Sequence, residues 1–71
     1  MLYGERLFLT RDQAIIAIRA KRPEGDLFGI PKLLLLHFED IRWVDYLTRK
    51  HLWDVTFRDD VSAMLFRLTY V

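Results

Sequence analysis

The sequence contains no cysteine, and for a chain of 71 residues that absence constrains the fold more than any other feature. A domain of this size buries only about 60% of the surface its unfolded chain exposes. Small proteins commonly supplement so thin a core with disulfides, a metal or association with another chain. Disulfides and cysteine-ligated zinc are excluded here, and two histidines, His37 and His51, are too few for an all-histidine cluster. A tightly packed core or oligomerisation remains. The apolar fraction is 52% without glycine, above the roughly 45–50% that a typical domain reaches with glycine included. Large exposed apolar patches mark partner surfaces, so the surplus points to a covered surface.

The formal net charge is +1. A dedicated nucleic-acid binder normally carries a strongly basic face, so the balance argues only weakly for one. No apolar run reaches the roughly 18 residues of a membrane span. The N-terminal stretch MLYGERLFL lacks the basic n-region and long apolar run of a signal peptide. These features predict one domain over residues 1–71, cytoplasmic, with no membrane association.

Residues 2–9 place Tyr3, Leu7 and Leu9 on one alternation, Leu2 and Phe8 on the other, and read as a strand. Thr10 with Gln13 three residues on forms a capping box that opens a helix. Arg19, Lys21 and Arg22 suit its C-terminal dipole, and Pro23 stops it. Residues 23–31, PEGDLFGIP, form a loop by their proline and glycine content. The run KLLLLHF over residues 32–38 fits a buried strand or a helix piece, and lacking a side-chain N-cap it is taken as strand. Residues 40–50 carry Asp40 at the start and Arg49, Lys50 and His51 at the end, a polarity that predicts a second helix, although Ile41, Trp43, Val44, Tyr46 and Thr48 favour strand. Trp53, Val55 and Phe57, then Met64, Phe66, Leu68 and Tyr70, alternate on either side of Asp59–Asp60 and predict a C-terminal hairpin. The expected fold is α+β, a small four-stranded mixed sheet with two helices in the order β-α-β-α-β-β, ending in an antiparallel hairpin.

In that fold the leucine run is apolar on both faces. Leu34, Leu36 and Phe38 would face the helices, leaving Leu33 and Leu35 on the far side, each forgoing roughly 1.5–3 kcal/mol of burial if left in water. The first helix carries Ile15 and Ile18 on one side and Ile16 about 100° around from Ile15. Both elements call for a second cover. The expected function is therefore a protein-interaction module, a small regulator or inhibitor that self-associates as a dimer, without cofactor, metal or catalytic activity. Its candidate contact residues are Leu27, Phe28, Ile30, Leu33, Leu35 and Ile16, the first three on a loop that can serve as a docking tip.

Two alternatives come from other residues. Arg19, Lys21, Arg22, Arg49 and Lys50, both sets read as helix ends, would contact phosphates if they shared one edge, with Trp43, Tyr46, Trp53 and Phe57 as stacking surfaces. His37 and Glu39, two apart, could act as a general base at a subunit junction of a small oligomeric enzyme. His51 with Asp54 is better explained by a helix C-terminus, and Asp59 with Asp60 by a turn, than by catalysis or metal binding. Ser62 is the only serine, and no Gly-x-Ser-x-Gly, phosphate-loop or His-Glu-x-x-His motif is present.

Overall fold

A computed structural model describes residues 6–71. The elements run β1 (Arg6–Leu9), α1 (Arg11–Lys21), α2 (Ile30–His37), β2 (Ile41–Leu47), β3 (Leu52–Phe57) and α3 (Asp60–Tyr70). The three strands form one antiparallel sheet in the order β1-β3-β2. Three helices and a three-stranded antiparallel sheet replace the expected four-stranded mixed sheet with two helices. The α+β class stands, and the order is β-α-α-β-β-α. The positions of Leu2 and Tyr3 in the expected first strand lie outside the described residues.

α1 forms as its capping box dictates. The Thr10 hydroxyl accepts from the Gln13 amide at 3.2 Å, and the Gln13 side chain accepts from the Thr10 amide at 2.9 Å. Ala14, Ala17 and Ile18 are its buried face.

Three expected elements are of the other type, each for an identifiable reason. Residues 32–38 belong to α2, not to a strand. Gly29 enters the left-handed conformation (φ +69°) that lets the chain turn into the helix, and Pro31 sits in the first turn, where no amide partner is needed. Lysine and leucine are good helix formers and the run holds no β-branched residue. The second expected helix is β2. Its β-branched and aromatic residues outweigh the charge polarity, and Arg49, Lys50 and His51 fall in the turn that joins β2 to β3. There the Lys50 and His51 amides donate back to the Leu47 carbonyl, with His51 at φ +55°. The outer arm of the expected hairpin is α3. Asp59 is its N-cap, accepting from the Ser62 amide at 2.8 Å, and a two-residue Asp-Asp loop lacks the glycine or asparagine that tight hairpins favour.

The strands divide cleanly between two faces. Val55, Phe57 and Trp53 of β3 look toward the helices with Leu7 and Leu9 of β1 and Ile41 and Val44 of β2, and join Ala14, Ala17, Ile18, Ile30, Leu33, Leu34, Phe38, Ala63 and Phe66 in one core. Phe66 anchors it, with ring centroids 5.2 Å from Phe38, 5.1 Å from Phe57 and 4.8 Å from Tyr70. A bulge between Ile41 and Trp43 shifts the β2 register and turns Trp43 to the opposite face, which no described element covers. On that face Arg6 pairs with Asp54, while Trp43 and Phe8 stand exposed. Among the described residues no helix is long and apolar enough to cross a membrane.

Candidate interaction surface

α3 turns Ser62, Ala63 and Phe66 into the core. Val61, Met64, Leu65, Leu68 and Val71, spaced i, i+3, i+4, i+7 and i+10, are all exposed, Leu65 by 57% and Leu68 by 75%. At about 100° per residue the four within the helix span an arc of about 100°, centred roughly opposite the buried face, and Val71 follows as the C-cap. A surface helix ordinarily presents polar residues there, and a helix apolar all round is ordinarily covered. The exposed polar side chains of α3 lie on its flanks. Asp60 and Arg67 lie along one, bordering a groove of about 210 Å³ shared with Arg6 and Leu7 of β1. Thr69 lies on the other, its hydroxyl donating to the Leu65 carbonyl at 2.7 Å.

The apolar stripe extends past α3. Leu65 and Leu36 both border a cleft of about 470 Å³ between the α2–β2 junction and α3, and Leu36 is 73% exposed. Together the six side chains present on the order of 600 Å² of apolar surface, at the upper end of what the largest patch on a monomer reaches.

The predicted contact residues divide. Ile30 and Leu33 are buried in the core, and Leu27 is half-buried against it. Phe28 is 87% exposed at the end of the loop, next to the Gly29 cap of α2, and Leu35 and Ile16 are exposed on α2 and α1. The helical turn of residues 30–37 thus alters the expected partition: Leu34 is sealed and Leu35 open as expected, but Leu33 is sealed and Leu36 open. In a strand Met64 and Leu68 would share a face with Phe66; the stripe exists only because residues 60–70 are helical.

The basic residues gather at separate ends. Leu9 pairs with Trp53 beside the β2–β3 turn, so α1 starts at the end of the sheet that carries Arg49 and Lys50. It runs about 16 Å at 1.5 Å per residue, and its last turn reaches the opposite end, where Lys21 Nζ lies 5.5 Å from the Phe38 ring centroid. Arg19 folds onto its own loop, donating to the carbonyls of Pro23 and Gly25 at 3.2 and 2.9 Å. The Tyr46 and Trp53 rings pack against each other, tilted by 49° with centroids 4.5 Å apart, Phe57 is buried, and Trp43 alone of the four aromatics is largely exposed.

His37 and Glu39 both line the 470 Å³ cleft, with Asp40, but no hydrogen bond or ion pair joins them among the described residues. His37 Nε2 is sealed in the wall without a hydrogen-bond partner, out of reach of a bound molecule. Asp40 Oδ1 lies 2.9 Å from Arg58 Nη2, at an angle that makes the contact an ion pair without a hydrogen bond. His51 and Asp54 are not brought together: His51 Nδ1 contacts the Tyr46 hydroxyl at 3.2 Å, and Asp54 takes Arg6. Among the described residues no group of three or more potential ligands is placed to hold a metal ion. Compared with family models, curated proteins and solved structures, the chain matches none.

Proposed function

We propose that this chain is a small protein-interaction module that associates with another protein chain through the outer face of α3. The observation that carries the reading is the row Val61, Met64, Leu65, Leu68 and Val71, exposed on the side of α3 that faces away from the core. Leaving such a row in water forgoes the burial that stabilises associating proteins, and a chain with so small an interior gains proportionately from covering it. Leu36 widens the surface across the cleft mouth. Polar flanks and an apolar centre match the anatomy of protein interfaces.

The test is the double substitution Leu65→Lys and Leu68→Lys. Both side chains are solvent-exposed, so the helical circular dichroism and thermal midpoint stay near those of the parent. Complexes formed by the parent chain, with itself or with a protein from its own cells, weaken at least tenfold. Undiminished complexes with both lysines in place would refute the reading.

A further inference from the structure

We infer that the partner of this surface is a second copy of the same chain, with the two α3 helices packed antiparallel about a twofold axis. The inference rests on the interaction-module reading and adds the occupant and its orientation. The argument begins with the two charges beside the stripe. Asp60 and Arg67 stand seven residues apart, two helical turns, on the same flank of α3, and both border the groove along β1. Neither belongs to an ion pair among the described residues. When two helices pack antiparallel, each flank faces the same flank of the other helix, with the sequence direction reversed. Asp60 of one copy then meets Arg67 of the other, and the twofold axis repeats the pair. In a parallel packing each flank faces the opposite one, and on α3 that flank offers Leu65 and Thr69, with no charge to receive Asp60 or Arg67.

The apolar stripe obeys nearly the same symmetry. Reversed about a point between Met64 and Leu65, Val61 of one copy lies against Leu68 of the other and Met64 against Leu65, so the stripe is its own complement, as an isologous contact requires. That point lies one residue along α3 from the midpoint of Asp60 and Arg67, so those two side chains meet across an axial offset of about 3 Å, within the reach of an arginine. The six exposed side chains supply on the order of 600 Å² per copy, within reach of the roughly 800 Å² per partner of a standard interface once the charged rim is added. Such rim pairs add little affinity but select register and orientation.

Sedimentation velocity on the parent chain and on Asp60→Arg and Arg67→Asp, from 1 to about 200 µM at low salt, tests the inference. The parent chain sediments as a dimer at the upper concentrations. Each single reversal places like charges at both rim pairs and weakens the dimer about tenfold or more. An equimolar mixture of the two variants restores it, because every rim pair then joins opposite charges. The doubly reversed chain Asp60→Arg/Arg67→Asp also dimerises. If reversal at the helix ends melts α3, the neutral variants Asp60→Asn and Arg67→Gln carry the test, since added salt weakens the parent dimer and leaves theirs unchanged. A parent chain monomeric throughout overturns the second copy, while the lysine substitutions still judge the interaction-module reading separately. A dimer indifferent to both reversals, or one the mixture fails to restore, overturns the antiparallel arrangement.

Discussion

Two leucine-to-alanine substitutions, chemically identical, should have opposite consequences. Leu68 is 75% exposed on α3, and Leu34 on α2 is fully buried. Truncating either removes three carbons, worth about 0.8 kcal/mol each when buried. At Leu68 that burial occurs only on association. With three quarters of the side chain left to cover, the loss is about 2 kcal/mol per copy, or about 4 kcal/mol for a symmetric dimer. At 1.4 kcal/mol per decade this is a weakening of about 10²–10³-fold, the lower end applying if burial in the dimer is incomplete. Folding of the monomer is unaffected within about 0.5 kcal/mol, as for surface substitutions generally, and alanine is the better helix former. At Leu34 the loss falls on folding, about 2–5 kcal/mol including the cavity, out of a total of roughly 4–10 kcal/mol for a chain of this size. Sedimentation measures the first effect and urea unfolding of the dilute monomer the second. A Leu68→Ala chain that dimerises like its parent, or that loses as much folding stability as Leu34→Ala, would refute the assignment of Leu68 to an interface.

Other substitutions test the fold that holds this face in place. Thr10→Ala removes the α1 cap and costs about 1 kcal/mol, seen as a fall of about 4–8 °C in the thermal midpoint; no change would mean that the capping box is idle. Phe66→Ala opens the aromatic core beside Phe38, Phe57 and Tyr70 and costs about 3–5 kcal/mol, enough to leave the chain largely unfolded by circular dichroism at 37 °C. The Ser62 amide, donating to Asp59, holds that carboxylate below its ordinary pKa. Its stabilising effect is therefore complete above the unfolded carboxylate value of about 4 and fades as pH falls through the lower folded value. Asp59→Asn should flatten the acid limb of the unfolding midpoint, and an unchanged limb would remove Asp59 from the account.

How much of this was legible beforehand depended on whether local signals agreed. α1 was legible because cap, dipole and proline stop all pointed the same way, and β3 because Trp53, Val55 and Phe57 alternate against Asp54, Thr56 and Arg58. In β2 the signals conflicted. Glu39, Asp40 and Arg49–His51 mimic the charge polarity of a helix, yet they occupy turns at the two ends of a strand, and the strand-forming side chains between them decided the outcome. The leucine run and α3 share a different ambiguity. When nearly every position is apolar, periods of 2 and 3.6 both fit, and only Pro31, the lack of β-branched residues in 32–37 and the Asp59–Ser62 spacing favoured helix. The expectation of a surface surplus survives the change of fold, but its location moves. Leu33 is sealed within a single copy and Ile15 half-buried, whereas Ile16 and Leu35 stay exposed and the densest row of apolar side chains lies on α3. That row became visible only once residues 60–70 were a helix, since the same residues in a hairpin would send Met64 and Leu68 inward.

The claim on which the account depends is that the outer face of α3 is covered by a second copy of the chain, and methyl NMR spectra across a dilution series test it most directly. Between 500 and 5 µM the methyl signals of Leu65, Leu68 and Val71 should shift together along one binding curve, while those of the core residues Ile18 and Leu34 stay still. Signals from α3 that do not move with concentration, or shifts centred instead on the open sheet face around Trp43 and Phe8, would contradict it.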